Sequence, residues 1–200
     1  ESSVGGGITA LSPGALTLED VEFIRNVQSE GSLYISSPLE EIELKNVTFY
    51  KNLSSSNGGA LYIFSNSGIS ITYDNVNMHH NQAVAGAGAY IRSTNDPFDI
   101  NNISFSQNIG QSILEFATDD HNHKIDKVTF SDNFNISYAM SSTGSSTISN
   151  SNFVGNHRAV YNNLSPNRIT ATDNYWGDSS GPYHPSQNTS GSGDSTSSIV

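Results

Sequence analysis

The sequence predicts an all-β protein, a parallel β-helix (solenoid) of about seven coils, on three observations. A phrase is spoken twice in succession: Val47-Thr48-Phe49-Tyr50-Lys51-Asn52, a polar loop and Gly58-Gly59-Ala60-Leu61-Tyr62-Ile63 return 29 residues later as Val76-Asn77-Met78-His79-His80-Asn81, a loop and Gly86-Ala87-Gly88-Ala89-Tyr90-Ile91. Such a period points to stacked coils. An aromatic or Met residue followed three positions later by Asn recurs at Phe23/Asn26, Phe49/Asn52, Met78/Asn81, Phe105/Asn108, Phe130/Asn133 and Phe153/Asn156, at intervals of 26, 29, 27, 25 and 23 residues. Two places before the aromatic stands Val21, Val47, Val76, Ile103 or Val128, with Ser151 the exception. Two inward residues around one outward residue mark a strand.

Stacking explains the repeated Asn. Coils spaced by roughly 4.8 Å bring the same position above itself at each level. The six Asn residues are therefore expected to form a structural ladder, each amide bonded to the next. They are also expected to take the left-handed conformation that turns the chain out of the strand.

Taken in order, Gly5-Gly6-Gly7-Ile8-Thr9-Ala10 matches the second half of a repeat. Coil one spans Leu16–Ser36, with Leu16, Leu18, Val21, Phe23, Leu33 and Ile35 inward. Coil two runs from Ile42 to Phe64, coil three from Ile69 to Ile91, and coil four from Phe98 to Phe116. Coil five runs from Ile125 to about Met140 and coil six from Ile148 to Tyr161; Ile169 opens a last coil containing Trp176. The β-helix thus occupies 1–185. Residues 186–200 are rich in Ser and Gly and read as a flexible tail or linker. The chain reads as a piece cut from a longer precursor or as a processed product.

Gly58-Gly59-Ala60-Leu61 together with Phe49-x-x-Asn52 resembles the repeats of chlamydial polymorphic outer-membrane proteins and of bacterial and archaeal adhesin-like surface proteins. Ile169-Thr170-Ala171-Thr172-Asp173-Asn174-Tyr175-Trp176-Gly177, followed by Gly181-Pro182, is similar to a phrase that ends β-helix units in such proteins. The resemblance implies a right-handed coil, in keeping with the hand of parallel crossovers. It also implies an extracellular or cell-surface location.

Net charge is −11, with eight Lys and Arg in 200 residues, so no basic patch is expected and nucleic acid is a poor partner. No stretch approaches the ~20 apolar residues of a membrane span, so no membrane insertion is expected in this segment. Cysteine is absent.

Catalytic, cofactor and metal sites are not expected. Polygalacturonase-like chemistry needs Asp residues on adjacent coils with a His and a cation. Asp119-Asp120 is present without a Gly-His-Gly or Arg-Ile-Lys phrase. Pectate-lyase-like chemistry needs a calcium cluster, and Glu40, Glu41 and Glu43 have no stacked acid beside them. Asp119, Asp120, His121 and His123 form a weak metal candidate in a loop that reads as solvated. Adjacent His79 and His80 point to opposite faces if the strand continues through both. Asn-x-Ser/Thr triplets at Asn46, Asn102, Asn135, Asn163 and Asn188 permit glycosylation; Asn52 carries one too but belongs to the ladder. With 23 Asn and 47 Ser plus Thr in the chain, about five such triplets arise by chance.

Tyr34, Tyr62 and Tyr90 share one position after the Gly-rich step and should stack as an outward column. Such a column suits a glycan or cell-surface protein partner, or serves only to hold neighbouring coils together. The expected function is a non-catalytic surface segment, an adhesin stalk or filament subunit presenting loops on a stiff solenoid and associating end to end. The alternative is a polysaccharide-active lyase or hydrolase, or a carbohydrate-binding module, using one face.

Overall fold

The computed structural model describes residues 7–38, 40–66, 70–93, 97–117, 122–156, 158–162 and 169–197, with the backbone alone for Asn135 and Ile136. Strands from successive repeats pair in parallel, in register, on three faces. The first face is an eight-stranded sheet: Ile8–Leu11, Leu33–Ser36, Leu61–Ser65, Ala89–Ser93, Ile109–Phe116, Phe134–Ser142, Arg158–Asn162 and Ser195–Thr196. The second has six strands: Glu22–Ile24, Thr48–Tyr50, Val76–His79, Ile103–Ser106, Thr129–Ser131 and Asn152–Val154. The third is split. Leu16–Glu19, Ile42–Lys45 and Ile71–Asp74 form one part; Asp99–Asn101, Asn122–Asp126, Ser145–Ser149 and Ile169–Thr172 form the other. The solenoid makes about six full turns, close to the seven expected, with Trp176 beginning a further level.

Alternation along each strand decides what is inside. In Leu33–Ser36 and Ile42–Lys45, buried residues alternate with partly exposed ones. The repeated aromatics fall in register, Phe23 on Phe49 and Met78 between Phe49 and Phe105. Their rings stack along the axis: Phe23–Phe49 at 4.7 Å, Phe105–Phe130 at 5.0 Å, Phe130–Phe153 at 4.9 Å and Phe153–Trp176 at 4.8 Å. Burying each such ring contributes about 1.5–3 kcal/mol.

The Gly-rich step has a backbone cause. Gly31, Gly58 and Gly86 occupy equivalent levels with φ of +40°, +69° and +61°, the left-handed region that glycine enters without penalty.

The C-terminal residues differ from their composition. From Pro182 to Ser197 the chain folds back on the last coil, with bridges Pro182–Gly193 and His184–Asn188. Ser195–Thr196 pairs with Arg158–Asn162 as the final strand of the first face. Up to Ser197, then, the segment read as a flexible linker is a cap. Its backbone hydrogen bonds and close Gly contacts demand small residues: a Cβ on Gly193 would lie 2.3 Å from the Trp176 carbonyl oxygen.

Candidate functional site

The Asn ladder runs as expected. Asn26 donates through Nδ2 to Asn52 Oδ1 (3.0 Å), Asn52 to Asn81 (2.9 Å), Asn81 to Asn108 (3.1 Å), Asn108 to Asn133 (3.1 Å) and Asn133 to Asn156 (2.8 Å). Each backbone N–H from Asn26 to Asn133 donates to the same oxygen as its own side chain. From Asn52 onward each Nδ2 also donates to the carbonyl of the aromatic or Met one coil earlier, Phe23, Phe49, Met78, Phe105 and Phe130. At the far end Asn156 N and Nδ2 both donate to Asp194 Oδ2, at 2.9 and 2.8 Å. A carboxylate from the cap thus closes the column, and charged acceptors make the stronger bonds. Sequence reasoning missed Asp194 because it lies 38 residues beyond Asn156, outside the period.

The expected conformation of the ladder Asn needs correction. Positive φ belongs to the residue before it: Arg25, Lys51, His80, Gln107, Asp132 and Gly155. A second left-handed column, Asp20, Asn46, Asn75, Asn102, Lys127, Asn150 and Asp173, turns the chain into the second face. The ladder Asn is needed for its amide, and the residue before it makes the turn.

His79 and His80 do not point apart. The strand Val76–His79 ends there, and His80 takes φ +57°, which breaks the alternation. The two rings meet, Nδ1 to Nδ1 at 3.2 Å. His79 stacks on Tyr50 (4.7 Å) and His80 meets the same ring edge-on (5.5 Å). Burial, and then the neighbouring His80, hold the His79 pKa below its ordinary value. Arg25 and Lys51 share the left-handed column with His80, so basic side chains gather at one corner despite the acidic composition.

Of the weak metal cluster, Asp119, Asp120 and His121 lie outside the described residues. His123 is not in a solvated loop: it is buried, its ring stacks on Phe116 at 4.4 Å, and Nδ1 accepts a hydrogen bond from the Phe98 N–H. Among the described residues no three His, Cys, Asp or Glu side chains converge on one point.

The Tyr column forms, with Tyr34–Tyr62 and Tyr62–Tyr90 stacked at 5.1 and 5.2 Å. Because the rings cover one another's faces, the column offers rims and hydroxyls and no flat platform within the stack. Tyr62 is only 8% exposed, and burial, with Glu30 next, pushes its pKa up to about 12. Glu115 continues the column beside Tyr90, its carboxyl raised above the ordinary range by burial and eased by the Ser112 and Ser141 hydroxyls.

Two shallow depressions lie on the third face, the second reaching across its split. One, of about 230 Å³, is lined by Asp99, Asn101, Asn102, Lys124, Asp126 and Lys127; the other, of about 240 Å³, by Ser70, Ile71, Pro97, Asp99, Asn122 and Lys124. Asp99 and Lys124 are cross-strand partners, and a hydrogen bond from Asn150 holds Asp126 below the ordinary carboxylate range.

The glycosylation triplets separate by position. Asn46 and Asn102 are exposed at the left-handed corner. Asn188 spends its amide inside the cap, donating to the Ser180 and Pro182 carbonyls at 2.9 Å each. Asn163 lies outside the described residues, and Asn135 is placed by its backbone alone.

Among the described residues no helix is long and apolar enough to cross a membrane. Comparison of the chain with protein-family models, curated protein sequences and solved structures finds no significant match, so the surface-protein resemblance rests on the repeat residues themselves.

Proposed function

We propose that this chain is a non-catalytic segment of an extracellular surface protein, an adhesin stalk or filament subunit whose solenoid holds variable loops along a stiff axis. The observation that carries this reading is the buried amide column from Asn26 to Asp194. It ties successive levels to one another through the interior, a design suited to a rigid rod. The repeat interval meanwhile varies from 23 to 29 residues, and the loops of such a scaffold are where binding commonly resides.

Partners follow from the surfaces. Among the described residues Leu16–Glu19 and Glu22–Ile24 each pair on one side only, strand edges of the kind that a second molecule can extend. End-to-end association through that edge gives a heterologous contact and, where it does not close, a filament. Ser195–Thr196 pairs within the last coil and so is not free to extend such an edge.

A second reading, a polysaccharide-active enzyme or carbohydrate-binding module, draws on the depressions lined by Asp99, Lys124 and Asp126. One experiment separates the two. Pectin, alginate and a glycan panel are incubated with the chain and with Asp99→Asn and Lys124→Met variants, while cleavage and binding are followed. The stalk reading expects no cleavage. Turnover of a uronate polymer that either substitution abolishes would overturn it.

A further inference from the structure

We propose that His79 and His80 form a two-nitrogen site for a divalent transition-metal ion, of the zinc, nickel or copper class. The inference stands apart from the stalk reading. It starts from the turn: His80 adopts φ +57° immediately after the strand ends at His79, so neighbouring side chains that would diverge on a strand converge on one side.

The geometry suits chelation. The Nδ1 atoms are 3.2 Å apart and the rings are inclined at 72°. Two imidazole nitrogens, each at about 2.0–2.1 Å from a common ion, subtend roughly 100° at that separation, near the tetrahedral angle. Without metal, the same contact is one N–H···N hydrogen bond, which needs one ring protonated at Nδ1. With metal, both rings carry their proton at Nε2 and both Nδ1 lone pairs face the ion.

The surroundings fix the pair. Tyr50 stacks on His79 and meets His80 edge-on, so one ring sets both imidazole orientations. Lys51 places its ammonium 4.8 Å from the Tyr50 ring centroid, held by the aromatic face. Among the described residues no carboxylate bonds to either imidazole, and a pair of imidazole nitrogens suits nitrogen-preferring ions better than calcium. Water completes the coordination, as at an open site.

The test titrates the whole chain with Zn²⁺ and Ni²⁺ separately by calorimetry. The variants are His79→Gln and His80→Asn, the second chosen because Asn tolerates positive φ, with His184→Gln as control. Each of the first two should weaken binding by at least ~10-fold, while the control stays within about twofold. Ni²⁺ should also selectively broaden the Tyr50 ring proton resonances of the unaltered chain. That readout stands even where a variant folds poorly. Absence of saturable binding, unchanged affinity in both variants (an adventitious ion only), or sharp Tyr50 resonances with Ni²⁺ bound would each overturn the proposal.

Discussion

Two columns of stacked Asn run along this solenoid, and they are held differently. In the interior, Asn81 and Asn108 have no exposed surface, and each side-chain oxygen from Asn52 to Asn156 receives two N–H donors from the level before. At the corner, Asn75 donates to Asn46 (3.0 Å) and Asn46 to Asp20 (2.9 Å), all three exposed. That column has no such bond at Asn102, which donates to its own neighbour Asn101 at 3.4 Å. Chemically similar side chains stack in both places, but water competes only at the corner. The interior column is accordingly Asn at six levels and ends on Asp194, while the corner position also admits Asp and Lys, its requirement being a positive φ.

The sharpest break in this comparison is Asn81→Leu. It strands the Asn52 N–H and one of the two Asn52 Nδ2 protons and removes the donor to the Phe49 carbonyl, all buried. We expect a loss of about 2–4 kcal/mol in a denaturant melt. Asp194→Ala comes next. It strands the Asn156 N–H and one Nδ2 proton, at about 1–3 kcal/mol, and should loosen the cap, raising protease cleavage between Gly181 and Ser197. Asp194→Asn, which retains an acceptor oxygen, should recover most of that loss.

Tyr73→Phe sharpens the comparison from the opposite side. The Tyr73 hydroxyl is fully buried and has no hydrogen-bond partner among the described residues, and complete burial drives its pKa far up. Removing it should stabilise the fold by about 1 kcal/mol, seen as a higher melting temperature. The smallest effect belongs to the corner. Asn46→Gly keeps the left-handed turn and gives up exposed hydrogen bonds, a change within about 0.5 kcal/mol in the same melt.

Much of this architecture was legible in the sequence because stacking turns a three-dimensional contact into a period. Phe49-x-x-Asn52 repeated six times is enough to place the aromatic column and the amide ladder, and Trp176 falls into the column 23 residues after Phe153. Where the period stops, legibility stops. Asp194 and the cap sit in a Ser/Gly stretch whose composition is that of a linker, and only backbone pairing reveals a strand there. The His79–His80 contact was not legible for a related reason. Alternation holds along a strand, and nothing in the residues marks the strand as ending at His79 with His80 at φ +57°. Arg25, Lys51 and His80 are scattered along the chain and become neighbours only through the stack.

The interior amides, and not stacked Asn in general, hold the levels together. Side-chain amide hydrogen exchange, followed by NMR on ¹⁵N-labelled protein, tests it most directly. The Nδ2 protons of Asn52, Asn81, Asn108 and Asn133 should exchange slowly, and only with unfolding of the coils, whereas those of Asn46 and Asn75 should exchange near the solvent rate. Equal exchange rates in the two columns would contradict the account.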